Sequence, residues 1–140
     1  MRFMIVVKAT ADSEAELTPA PEEELLAAMA TYHEDLAKAG VLVDAAGLRP
    51  SREGWRIRYS GDQRSFTDGP FAETKELIAG YTIIRVASRQ EAIDWSMRFP
   101  NPAGRGNPSE IEVRGFWELE DFAPSESIDR FQALEAAQQG

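Results

Sequence analysis

Cysteine is absent from the 140 residues, which excludes disulfides, thiolate metal sites and cysteine nucleophiles, and is compatible with a reducing compartment. Histidine occurs once, as His33, so a His-rich metal site or a two-histidine mechanism cannot be assembled within one subunit. A carboxylate-only site for Mg²⁺ or Ca²⁺ has no loop signature in the chain, and no metal is expected. Positive charge is also in deficit, with 15 Lys and Arg against 24 Asp and Glu for a net charge of −9. Nucleic acid and anionic membrane would repel such a body, and neither is expected as a partner. Long apolar runs are missing as well. The stretch Phe3-Met4-Ile5-Val6-Val7 is too short for a membrane span or the apolar part of a signal peptide and meets Lys8 at once, so the expected location is cytoplasmic.

What is present fits one domain, a length at which folding removes roughly two-thirds of the extended chain's surface from water. Residues 2–8 form an apolar, β-branched run that reads as a central strand covered on both faces. Thr18-Pro19 followed by Glu22, Glu23 and Glu24 supplies a cap, an early proline and acidic residues, so a helix is expected from about Pro19 to Ala39. Leu25, Leu26, Met29, Tyr32, Leu36 and Ala39 give its apolar stripe, and Gly40 stands where a left-handed cap would end it.

An extended stretch begins at Val41 and reaches a turn at Ser51-Arg52-Glu53-Gly54. Trp55, Ile57 and Tyr59 then alternate with Arg56 and Arg58, a strand with one apolar and one basic face. Gly61-Asp62 signals a tight hairpin, Arg64 to Thr67 returns, and Leu77 to Val86 makes a further strand. Ser88-Arg89-Gln90-Glu91 matches a capping box in which Glu91 reaches back to the Ser88 N–H. The helix it opens carries Ala92, Trp95 and Phe99 on its buried side and stops before Pro100 and Pro102. Ile111 and Val113 alternate with Glu112 and Arg114 in a last strand.

Two strand–helix–strand units with an inserted hairpin predict an α+β ferredoxin-like sandwich of the dimeric α+β barrel type: an antiparallel sheet with two helices on one face. The other face would expose aromatics such as Trp55, Phe116 and Trp117, so a symmetric homodimer is expected to cover it. The domain is read as residues 1–118. Residues 119–140 form a tail, in which Ile128, Phe131 and Leu134 recur at helical spacing after Pro124-Ser125.

The densest local signal is Thr67-Asp68-Gly69-Pro70-Phe71-Ala72-Glu73-Thr74-Lys75-Glu76. Asp68 can accept backbone N–H bonds, Gly69 can supply a positive φ, and Pro70 fixes its own φ, so the segment reads as a rigid corner with Phe71 as its apolar anchor. Either Asp68 only closes that turn or its carboxylate faces a cleft. His33 shares a helical face with Leu26, Met29, Leu36 and Ala37. It either satisfies one backbone carbonyl at the helix edge or serves as a general acid or base beside a carboxylate. Arg56, Arg58, Arg64 and Arg85 are solvated strand charges or, as Arg58 and Arg64 with Phe71, the binding groups for an anionic organic molecule. The chain has no Gly-x-Gly-x-x-Gly fingerprint, Walker motif or Gly-x-Ser-x-Gly elbow, and no cofactor is expected.

The Asp68-Gly69-Pro70-Phe71 motif makes the chain resemble the DGPF branch of the YCII-related proteins. The resemblance runs over about residues 1–118 and includes the opening strand, Tyr32 to Leu36, Ala39 to Leu42, Thr67 to Glu76, Ala92 to Trp95 and Ile111 to Arg114. It implies a ferredoxin-like fold and, from relatives in which a helix histidine paired with an aspartate is proposed as an active-site dyad, a role for His33. The loop after the second helix reads Phe99-Pro100-Asn101-Pro102 without an aspartate, and Asp68 is the substitute candidate. Resemblance to a lactone dehalogenase within the family implies cofactor-free elimination or isomerisation on a small organic acid. The family's association with alternative sigma factors implies the other reading, a non-catalytic regulatory module.

Overall fold

A computed structural model describes residues 1–15 and 23–139 of the chain. Strand β1 (Arg2–Lys8) lies between β5 (Ile78–Arg85) and β6 (Ile111–Gly115), and β2 (Leu42–Gly47) pairs with the far side of β5, all antiparallel. The order β2-β5-β1-β6 is that of a ferredoxin-like α+β fold, and the four strands form an open sheet rather than a closed barrel. As its run of apolar residues required, β1 is central and buried on both sides, with Ile5 at 0% and Val6 at 6% exposure on opposite faces.

Helices α2 (Glu23–Lys38) and α3 (Arg89–Met97) pack on the face that carries Phe3, Ile5, Ile84 and Val113. The core joins Tyr32 and Leu36 of α2 and Ala92 of α3 to Ile5, Ile84, Val41 and Val86, with Trp95 and Phe99 packed against it. The expected helix start at Thr18-Pro19, with Glu22, lies outside the described residues. Its end follows the prediction. Gly40 adopts φ +75°, its N–H bonds the Ala37 carbonyl at 3.0 Å, and Val41 N–H bonds Leu36 O at 3.0 Å. This is the paired C-terminal cap that a left-handed glycine allows, and it drops Val41 beside Leu36 in the core.

Ser88 caps α3 by accepting from Glu91 N–H at 3.1 Å. The reciprocal bond differs from the expected one: Glu91 Oε2 accepts from Ala87 N–H at 2.9 Å, one residue before the cap. The acidic stretch after β1 also holds a short helix, α1 (Ala11–Ala15), which has too few residues for a periodic signal.

Strands β3 (Trp55–Ser60) and β4 (Gln63–Asp68) pair only with each other and stand apart from the main sheet. Their two-residue turn has Gly61 at φ +59° followed by Asp62 at negative φ, the pattern that suits glycine in the first turn position. After β6 the chain makes a 3₁₀ turn at Leu119–Asp121 and ends in α4 (Glu126–Gln139), which buries no residue. No helix among the described residues is long and apolar enough to cross a membrane.

Candidate functional site

His33 sits on the inner side of α2, half-buried, with both ring nitrogens occupied. Nδ1 donates to the Met29 carbonyl one helical turn back, at 2.7 Å. In the neutral imidazole Nε2 is then the lone-pair nitrogen, and it meets Thr82 Oγ1 at 2.9 Å. Thr82 lies in β5 opposite Ile5, is 2% exposed, and is the buried polar side chain among the described residues. Each group therefore satisfies the other between helix and sheet.

Two aromatic edges flank the half-buried imidazole. The Tyr32 ring lies 5.5 Å from that of His33 and the Phe99 ring 6.3 Å, both edge-on. Tyr32 is 4% exposed, donates to the Trp95 carbonyl at 2.8 Å, and burial pushes its hydroxyl up to about 12. The phenol is therefore a fixed donor at neutral pH and ties α2 to α3 beside the histidine.

The Asp-Gly-Pro-Phe corner leads out of β4 and is built on another principle than the expected one. Gly69 does not adopt a positive φ. A Cβ there would lie 1.8 Å from the Ser51 carbonyl oxygen, so glycine is required by close approach of two backbones. Gly69 N–H bonds Gly54 O at 2.9 Å, and the Gly69–Pro70 peptide is cis. Ser51 is the hub: its Oγ accepts from Phe71 N–H at 3.1 Å and donates to the Glu14 carboxylate, which also accepts Ser51 N–H at 2.9 Å. Phe71 lies under the Arg56 guanidinium at 3.8 Å, and Arg56 reaches Glu73 at 3.7 Å. Sequence reasoning singled out neither Glu14 nor Ser51 for this role. They are 37 residues apart, and neither belongs to a spacing pattern that would have signalled the contact.

Of the remaining candidate residues, Arg85 ends β5 across from Arg2, and the others occupy the hairpin. Arg64 covers Tyr59 at 4.9 Å, on the face that also carries Trp55, Ile57, Phe66 and Asp68. Arg56 and Arg58 alternate onto the reverse face. Asp68 is exposed and stands across from Trp55. Among the described residues no hydrogen bond, ion pair or ring contact joins His33 to Asp68 within the protomer; His33 bonds Met29 and Thr82. The structure thus groups Phe71 with Arg56 and Arg64 with Tyr59, and keeps His33 in the helix–sheet layer. A shallow groove of about 390 Å³ runs past Thr31, Asp35 and Arg98, and another of about 430 Å³ crosses the opposite sheet face past Lys8, Glu112 and Arg114. Neither is lined by His33 or Asp68.

The family model of the YCII-related domain matches residues 1–116. An uncharacterised protein of Rhizobium meliloti (strain 1021) is 34% identical over 95 residues, covering 66% of this chain and 73% of its own length. The match spans the strand–helix–strand pairs, the His33 helix and the Asp-Gly-Pro-Phe corner alike, and the chain belongs to the YCII-related family.

Proposed function

We propose that the protein is a cytoplasmic homodimer that binds a small organic acid beside His33 and moves a proton on it, by elimination or isomerisation, without a resident cofactor. The observation that carries this reading is the fixed imidazole. Commitment of Nδ1 to the Met29 carbonyl leaves Nε2 as the basic nitrogen, and its partner is a neutral hydroxyl that a substrate O–H or C–H can displace. The edges of Tyr32 and Phe99 beside the ring give an organic ligand apolar surface to lie against. In this reading Asp68 orients the imidazole or its substrate, and Arg58, Arg64 and Phe71 hold the acid, from the same or the paired subunit.

The test is a thermal-shift screen against small carboxylic acids, followed by incubation of each hit in D₂O to detect carbon-bound deuterium. A ligand at a hundredfold excess over its Kd stabilises by about 2.7 kcal/mol, a shift of several degrees. Wild type should show the shift and the exchange, and His33→Gln should lose the exchange while remaining folded. No hit, or unchanged exchange in His33→Gln, removes the assignment.

A second reading is a non-catalytic module associated with an alternative sigma factor, whose acidic surface meets a basic partner. Its support is that the chain already occupies both nitrogens of His33 and that Asp68 makes no contact with it. An empty acid screen together with a pulled-down sigma factor would favour it.

A further inference from the structure

Helix α1 has five residues and buries none of them. A helix that short is not stable by itself, because nucleation of its first turn is unfavourable. Thr10 and Ser13 close its start reciprocally, Thr10 N–H donating to Ser13 Oγ at 2.8 Å and Ser13 N–H to Thr10 Oγ1 at 3.2 Å. Glu14 ties it to the turn after β2. Its carboxylate accepts the Ser51 N–H at 2.9 Å and the Ser51 hydroxyl, and its carbonyl accepts from the Arg52 guanidinium. An acid carried by a marginal element therefore fills a place on the body of the domain.

That place is built independently of the acid. The Ser51 carbonyl accepts from Gly54 N–H at 2.9 Å and lies so close to Gly69 that a Cβ there would come within 1.8 Å of it. Gly54 O in turn accepts from Gly69 N–H at 2.9 Å. Phe71 N–H donates to Ser51 Oγ at 3.1 Å, which engages an oxygen lone pair and leaves the hydroxyl proton for the Glu14 carboxylate. None of these bonds involves Glu14, so the donors keep their positions when the acid leaves. One N–H and one O–H of the same residue engage one carboxylate oxygen each, the Arg52 guanidinium adds positive charge beside them, and both bonds to the acid are charge-assisted.

We propose that Ser51, with Arg52 beside it, is the seat for the carboxylate of a small organic acid, and that Glu14 is an internal competitor which the acid displaces together with α1. The inference rests on the organic-acid reading above for the class of ligand and names where the carboxylate sits; it does not use the chemistry assigned to His33. A tethered carboxylate acts at an effective concentration on the order of millimolar. The apparent affinity for a free acid is lowered by the fraction of molecules in which Glu14 has left the seat, so α1 sets a threshold concentration below which the site stays closed.

The test is a titration of the full-length protein with sodium acetate, against sodium chloride at equal ionic strength, followed through the backbone amide signals of Ser51 and Phe71. Glu14→Ala should bind acetate with a dissociation constant at least tenfold lower than wild type, and adding Ser51→Ala should raise it at least tenfold again. Glu14→Gln keeps the side chain's length but sets an NH₂ against one of the two donors, and it should show the same tightening if truncation to alanine disturbs the fold. In wild type, acetate should move the Ser13 and Glu14 amides toward coil positions in step with the Ser51 amide. Equal affinity in wild type and in both Glu14 variants, or no response in any of them, overturns the proposal. So does a Glu14→Ala/Ser51→Ala protein that binds as tightly as Glu14→Ala, or an α1 whose signals stay fixed while the Ser51 amide saturates. Acetate can seat here while deuterium exchange is unchanged in His33→Gln, and exchange can depend on His33 in a protein whose Ser51 amide ignores acetate, so the two readings fail separately.

Discussion

Replacing Thr82 by valine keeps the side chain's shape and removes the hydroxyl that meets His33 Nε2 at 2.9 Å. The nitrogen then faces hydrocarbon at a position where Thr82 is 2% exposed. A net hydrogen bond contributes about 0.5–1.5 kcal/mol, and an orphaned buried polar group costs about 1–3 kcal/mol. Because His33 is only half-buried, water relieves part of that penalty, and the methyl group recovers at most about 0.8 kcal/mol. The expected loss is therefore about 1–2 kcal/mol, read as a fall in Tm of roughly 3–8 °C for a chain of this size. His33→Leu removes the other end, and the double variant replaces a polar pair by an apolar one. Urea unfolding of all four proteins gives the coupling, expected near 1 kcal/mol. If Thr82→Val is neutral or stabilising and the two substitutions add to within about 0.3 kcal/mol, the pair is not a satisfied interior contact and the fixed-imidazole argument falls.

Gly69→Ala places a methyl 1.8 Å from the Ser51 carbonyl oxygen, so backbone must move; a destabilisation of about 1–3 kcal/mol should appear in urea melts, and a variant as stable as wild type would refute the close approach. Ser51→Ala withdraws the acceptor from Phe71 N–H and the donor to Glu14, so amide exchange at Phe71 should accelerate about tenfold, the equivalent of roughly 1.4 kcal/mol. The bidentate bond from Arg2 holds the Glu118 carboxyl below its ordinary value of 4.5. A depressed folded-state value means that the stabilisation is present above the unfolded value and fades as pH falls through the folded one. Glu118→Gln should therefore cost about 0.5–1 kcal/mol at pH 7 and converge with wild type in acid; a pH-independent difference would refute the ion-pair account.

The architecture was legible because its signals are local. Apolar runs with β-branched residues marked β1 and β5, the Ser88 cap and Pro100 bracketed α3, and Gly40 marked the end of α2 through its left-handed φ. The hairpin followed from Gly61-Asp62 between alternating strands. The fine structure of the corner was not legible, because Gly69 is dictated by the Ser51 carbonyl rather than by its own φ. The approach of Glu14 to Ser51 depends on how β1, α1 and the turn after β2 converge in space, which no local pattern encodes. For His33 the inward face was readable from helical spacing, but its partner was sought among carboxylates. A threonine within an apolar strand carries no sign of that role, and Thr82 emerged only when the register of β1 and β5 put it opposite Ile5.

The self-contained pairing of β3 with β4 has a consequence for how cooperativity is distributed. Opening that ribbon breaks none of the rungs between β2, β5, β1 and β6, so the chain contains a small foldon attached to a larger one, joined at the neck by Gly54–Gly69 and by Ser51. Such a unit can melt, lengthen at its Gly61 tip or be grafted from a relative without renegotiating the rest of the molecule. Sequence variation can therefore accumulate there while the helices and main sheet stay as they are.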